Sequence, residues 1–168
     1  MDANGTPQKA FEGEQSLSEH SIHVSLTYDS LDVTKAMNRV KSPEAGAVVL
    51  FAGCTRSTFH SKTVTHLAYS TYPPLALRTL FSIAKDVKAR HGLVGISISH
   101  RLGRVDIGEE SVIIAVSAPH RKAGWLAGEE CLEQVKERVE IWKEEWFDDG
   151  GVWRSNRDGG VGVPVVKS

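Results

Sequence analysis

The alternation of apolar and polar positions divides the chain into elements before any chemistry is considered. Ile22, Val24, Leu26 and Tyr28 alternate with polar residues, the period of a half-buried strand, so order is expected to begin at Ser21. The stretch V-T-K-A-M-N-R-V that follows predicts a short helix with Asp32 as its N-cap. After the turn S-P-E-A-G, residues 46–52 form a continuous apolar run of strand length rich in β-branched side chains. Residues 53–61 are polar and read as a loop, and 63–72 as a strand that stops at Pro73 and Pro74. Prolines suit a first helical turn, and Leu77, Leu80, Phe81, Ala84 and Val87 then recur at helical spacing until Gly92. Ile96, Ile98 and His100 alternate again, 101–110 carries turn residues, and S-V-I-I-A-V-S at 111–117 is another buried strand. A long C-terminal helix is predicted over 119–146, with Trp125, Leu132, Val135, Val139 and Trp142 as its apolar stripe and Leu126 beside it. Gly150 and Gly151 end it, and Val152, Trp153 and Arg154 make a last short strand. Hairpin-like neighbours mixed with crossovers point to an α+β fold.

The ends carry no such period. Residues 1–20 are polar and predict a disordered tail, 158–168 are Gly-rich and predict a flexible one, and a single domain is expected over 21–157. A length of 168 residues fits one domain with a sizeable core. Lys plus Arg is 20 and Asp plus Glu is 21, a formal net charge of −1, which excludes a broad basic face for nucleic acid. No apolar run approaches the roughly 20 residues that span a bilayer, so no membrane partner is expected. The first residues lack the apolar core of a secretory signal, and a cytosolic protein is expected. The cysteines, Cys54 and Cys131, are too few for a disulfide framework or a four-Cys zinc site.

Most nucleophile and phosphate motifs are missing. There is no G-x-S-x-G elbow and no P-loop. The histidines include no H-x-H or H-E-x-x-H pair, and His60 and His66 read as loop and strand residues rather than metal ligands. Cys54 stands near Arg56, which can activate a thiol, although a single cysteine at a strand end is more often inert. The basic residues around the last helix say more. His120 and Arg121 lie at its start, where free N–H groups favour anions. Either they bind an anion or they form a solvated first turn. Lys136 and Lys143 are two turns apart, about 10 Å along one helical face. They are either an active-site pair or surface lysines matched by Glu133, Glu137 and Glu140.

Several segments together narrow these alternatives. F-A-G-C-T-R at 51–56, Y-S-T-Y at 69–72, H-R-L-G at 100–103, S-A-P-H-R at 117–121, K-E-R-V-E-I-W-K-E-E at 136–145 and V-W-R at 152–154 resemble, in order and spacing, the catalytic (large) subunit of molybdopterin synthase. Ser57, Ser70 and Glu140 depart from that family's usual Asn, Glu and Pro. The resemblance implies an α/β hammerhead-type fold with a mixed, largely antiparallel sheet. It implies transfer of sulfur from the C-terminal Gly-Gly thiocarboxylate of a small ubiquitin-like subunit to cyclic pyranopterin monophosphate, forming the molybdopterin dithiolene. It further implies a homodimer of this chain within a heterotetramer, with no cofactor and no metal needed for the step. Carried over by position, Lys136 and Lys143 are the catalytic residues. Arg56, His120, Arg121, Glu144, Glu145 and Arg154 join those lysines in binding substrate.

One expectation is geometric. His120 and Lys136 are sixteen residues apart, about 24 Å on a continuous helix, too far for one small pterin phosphate to bridge. A two-fold dimer would place His120 and Arg121 of one chain against Lys136 and Lys143 of the other.

Overall fold

The computed structural model describes residues 8–155 and 162–164. In chain order the elements are β1 (Glu14–Glu19), β2 (Ile22–Thr27), α1 (Val33–Val40), β3 (Ala47–Cys54), β4 (Thr58–Phe59), β5 (Lys62–Thr71) and α2 (Pro73–His91). They continue with β6 (Gly95–Arg101), β7 (Gly103–Asp106), β8 (Glu110–Ala118), α3 (Arg121–Arg138), β9 (Ile141–Phe147), β10 (Gly150–Ser155) and β11 (Val163–Pro164). The α+β expectation is met, as two sheets and three helices.

The first sheet runs β1-β2-β6-β8-β3, with β2 and β6 parallel and the other pairs antiparallel. Its central strand β8 explains why 111–117 reads as an unbroken apolar run. Val112, Ile114 and Val116 face the core under α2 and α3, whereas Ile113 and Ala115 face Ala36 and Val40 of α1. Both faces of the strand are covered, so both must be apolar. The second sheet runs β11-β10-β9-β5-β4, all antiparallel, with β7 also on β5. No helix is long and apolar enough to cross a membrane, among the described residues.

The local signals at two helix ends hold. Asp32 caps α1, its Oδ1 accepting from the Lys35 N–H at 2.9 Å. Gly92 ends α2 in the left-handed region at φ 61°, with its N–H donating to the Lys88 carbonyl.

Three expectations are corrected. First, the N-terminal tail is not featureless: Glu14–Glu19 pairs antiparallel with β2 and forms the edge of the first sheet. Its side chains are mostly solvated, so an edge strand here leaves no apolar alternation to read. Residues 1–7 and most of 158–168 lie outside the described residues, although Val163 and Val152 show that sheet pairing continues past 157, through the Trp153–Val163 register of β10 and β11.

Second, the long C-terminal helix ends at Arg138. Val139 takes an extended conformation, and I-W-K-E-E-W-F becomes β9. The glutamate and lysine spacing imitates a helix, but Ile141, Trp142, Trp146 and Phe147 are strand formers, and β5 and β10 pair with both edges of β9. Lys136 and Lys143 therefore do not share a helical face.

Third, the buried stripe of α3 is Gly124, Ala127, Gly128, Cys131 and Val135. Trp125 is 66% exposed and Leu126 48%. Small residues win the interface because α3 lies close on β3: a Cβ at Gly124 would sit 3.0 Å from Val49 Cγ2. Of the expected stripe, Val135 and Val139 are buried and Leu132 packs against the core, whereas Trp125, and Leu126 beside it, are displaced to the surface.

Candidate active site

The two sheets and the C-terminal end of α3 enclose a cavity of about 580 Å³. That size is typical of small-molecule sites. Five of the side chains singled out by the sequence line it: Arg56, Lys136, Lys143, Glu145 and Arg154.

They arrive from four parts of the chain. Arg56 follows β3, in a loop anchored by hydrogen bonds from the Thr55 N–H to the Glu109 carbonyl at 3.0 Å and from the Gly108 N–H to the Thr55 carbonyl at 2.9 Å. Lys136 stands in the last turn of α3. Lys143 and Glu145 are two residues apart on β9, so strand alternation sends both to the cavity face. Arg154 is the cross-strand partner of Lys143 on β10, and Tyr69 is its partner on β5. Tyr69, Lys143 and Arg154 thus form a row across three neighbouring strands.

Glu145 organises this wall. Its carboxylate is buried, 3.1 Å from Lys143 Nζ through Oε1, and it accepts from Arg154 Nε at 2.9 Å through Oε2. A buried carboxylate between two cations is fixed in place, and it fixes both cations in turn. Glu144 behaves differently. It points to the opposite side of β9, where an oxygen accepts from Trp146 Nε1 at 3.2 Å, and it does not line the cavity.

His120 and Arg121 are not brought to this cavity. His120 is the N-cap position of α3, with no side-chain capping bond, and Arg121 is its first helical residue; both are exposed. Eighteen residues of helix in α3 separate that end from Lys136's end, on the order of 24 Å from His120 to Lys136.

Other residues of the cavity were not assigned from sequence. His100, on β6, is buried and lines the cavity with its ring edge-to-face against Tyr69, centroids 5.0 Å apart. Burial pushes its pKa down to about 4, a hydrogen bond to the Arg101 carbonyl at 2.8 Å offsetting part of that. Because a carbonyl only accepts, Nδ1 carries the proton and the imidazole is the neutral Nδ1–H tautomer. The alternation of Ile96, Ile98 and His100 puts His100 on the apolar face of its strand, the one signal that a sequence could have offered. Phe59 and His60 enter the cavity from the β4–β5 hairpin, in a segment that reads as plain loop.

The remaining candidates separate. Cys54 is an exposed free thiol on the cavity lining, and Cys131 is buried, its thiol pushed up to about 12 by burial. His66 stacks on Trp146 at 5.6 Å away from His60, which lies in the hairpin turn. Among the described residues no three His, Cys, Asp or Glu side chains are grouped to hold a metal ion.

Fold and site together define a class: an α+β chain with a small-molecule cavity lined by several cations and by apolar side chains, suited to an anionic ligand. The chain belongs to the MoaE protein family, whose model matches residues 26–138. It is 57% identical over 151 residues to the molybdopterin synthase catalytic subunit of Neurospora crassa, covering 89% of this chain and 73% of that one. It is 53% identical over 166 residues to the molybdopterin synthase catalytic subunit of Pyricularia oryzae, covering 98% and 89%. Among solved structures it is similar to a molybdopterin synthase from Staphylococcus aureus, at TM-score 0.74 and 33% identity over 77% of this chain and 94% of that one. A chain from a complex of subunits 1 and 2 of the Helicobacter pylori molybdopterin-converting factor shares the fold at TM-score 0.64 and 20% identity, covering 76% of this chain and 87% of that one. The resemblance read from the sequence is therefore met at the level of family.

Proposed function

We propose that this chain is the catalytic subunit of a molybdopterin synthase. It transfers sulfur from the thiocarboxylated C-terminus of a small ubiquitin-like subunit to cyclic pyranopterin monophosphate, forming the dithiolene of molybdopterin. The observation that carries the reading is the meeting of Arg56, Lys136, Lys143 and Arg154 in one cavity, from four separate elements.

The chemistry suits those groups. Guanidinium and ammonium donors bind a phosphate and the anionic tail of a sulfur donor. Acyl-thio transfer develops negative charge on a carbonyl oxygen, and a positioned cation stabilises it. Lys136 and Lys143 are the residues for this role and for proton transfer. Glu145 holds Lys143 and Arg154 in register rather than contacting the phosphate, since a carboxylate repels an anion. Glu144, on the far face of β9, acts on the site only through the strand.

His120 and Arg121 complete the site from a second copy of the chain. Their exposure, their distance from Lys136 and the neighbouring exposed Trp125 and Leu126 all favour a dimer in which α3 serves two sites. Two such chains with two small subunits make the heterotetramer. We place the enzyme in the cytosol, where the exposed Cys54 thiol stays reduced.

Purified chain mixed with thiocarboxylated small subunit and the pterin precursor tests this directly. Dithiolene should form, and Lys136→Ala should slow the reaction by about a thousandfold or more, within the range ascribed to general acid–base groups. Full activity in that variant overturns the role of Lys136. Capture of the small subunit with no turnover in the native chain overturns the enzyme reading and leaves a docking scaffold.

A further inference from the structure

We infer that Phe59 is a specificity-determining residue of the cavity, whose ring packs against the flat heterocycle of the substrate. The inference rests on the pterin reading above and extends it to a side chain that the sequence left in a loop.

Three observations meet at this ring. Phe59 ends the two-residue strand β4 and is half-buried on the lining of the cavity that Lys136 also lines. The hairpin closes through His60 and Ser61, at φ 45° and 65°. Both are non-glycine residues in the left-handed region, as a two-residue primed turn requires. The His20–Ser21 turn between β1 and β2 has the same geometry, so the turn here serves to fix the hairpin register. Here it sets Phe59 opposite Lys62 in the ladder, with the His60 ring edge-on at 4.2 Å.

The third observation is Arg154. Its guanidinium lies over the Phe59 ring, 5.0 Å from the centroid, while its Nε donates to Glu145. Phe59, Arg154, Glu145 and Lys143 thus form one chain of contacts from the hairpin to the catalytic lysine. Other rings near the cavity are less suited. Tyr69 is buried edge-on against His100, and Phe51 stands at the exposed edge strand of the first sheet. Phe59 belongs to a strand bonded only to β5, which lets its ring adjust to a planar ligand.

The test compares Phe59→Ala, Phe59→Leu and Phe59→Tyr in the full chain assembled with its small subunit. The Ala and Leu variants should raise the KM for the pterin precursor about tenfold, within the range seen when a base loses its aromatic platform. The KM for the small subunit should stay within about twofold, and Phe59→Tyr should restore native values. The same order should appear in the Kd of pterin-6-carboxylate measured by titration, which needs no turnover. A Leu variant equal to Tyr shows that bulk rather than a ring matters, and overturns the inference, as does a native KM in Ala. If Ala fails to fold, the Leu and Tyr pair decides alone. If the native chain turns nothing over, the functional proposal fails separately, and the titration still judges Phe59: binding kept in Tyr and lost in Leu supports it, and no binding by the native chain overturns it.

Discussion

At its C-terminal end α3 delivers Lys136 into a cavity where Lys143, Glu145 and Arg154 are already tied together. At its N-terminal end the same helix holds His120 and Arg121 out to solvent beside Trp125, with no side-chain cap to anchor them. Both ends are cationic, but one is built by tertiary contacts within the chain and the other is presented outward. The difference teaches that basic residues of one helix need not serve one site. The inner group is organised by a carboxylate that only the β9–β10 hairpin can bring into place. The outer group is exposed beside the exposed Trp125 and Leu126, as the proposed dimer requires.

Breaking the outer end should cost activity without costing stability. His120→Ala is expected to reduce turnover on the order of a hundredfold, as for the loss of one charged or proton-carrying group. Its melting temperature should stay near native, because the side chain is exposed. A combined kinetic and thermal-melt comparison checks this, and a large fall in melting temperature with normal turnover contradicts it.

Breaking the inner end should cost both. Glu145→Gln removes the buried charge that joins the partly buried Lys143 and Arg154, and leaving them unmatched should cost about 1–3 kcal/mol. Chemical denaturation reads that loss, and a loss below about 0.5 kcal/mol shows that the clamp carries no stability.

Acid sharpens the same region. His100 has a pKa of about 4 when folded, against 6.5 for an unburied histidine, because burial disfavours its charged form. The unfolded chain therefore binds the proton first. The contribution of His100 is constant above about pH 6.5, and stability falls as pH drops from there through 4, by on the order of 3 kcal/mol in all. His100→Gln should flatten that part of the stability curve measured by denaturant titration at several pH values. An unchanged acid slope contradicts the assignment.

The smallest effects separate the two faces of α3. Gly124→Ala puts a Cβ 3.0 Å from Val49, and the overpacking, offset by about 1 kcal/mol of helix propensity, should leave a net loss of about 0.5–1 kcal/mol. Trp125→Ala, one residue on, should change the stability of the isolated fold by less than about 0.5 kcal/mol while weakening self-association. Thermal melts and sedimentation at several concentrations distinguish the two.

What could be read from sequence follows from where the information lies. Asp32 and Gly92 announce helix ends because capping is local. The strand at 111–117 is legible because both its faces are covered, leaving no polar position from 112 to 116. The segment 139–147 misleads because glutamate and lysine spacing imitates a helix, and only pairing with β5 and β10 settles it as a strand. The stripe of α3 misleads because close packing selects glycine and alanine, which carry little apolar signal, over Trp125 and Leu126. In the candidate site, the identities of Arg56, Lys136, Lys143, Glu145 and Arg154 came from motif resemblance, and the cavity brings those five together. Their mutual arrangement was not legible, since the Lys143–Arg154 register exists only once 141–147 is a strand, which pairing with β5 settles. Phe59 and His100 were missed as site residues for the same reason: a two-residue strand and a buried polar residue declare themselves only after folding.

The division between the two ends of α3 is tested most directly by mixing two inactive chains. Lys136→Ala and His120→Ala are each prepared, unfolded together, refolded and assayed with thiocarboxylated small subunit. A shared site predicts that mixed dimers contain one intact site, so that random pairing restores about one quarter of native activity. Activity no greater than the sum of the two parents, in a mixture shown to contain mixed dimers, would mean that His120 and Lys136 do not meet across a dimer.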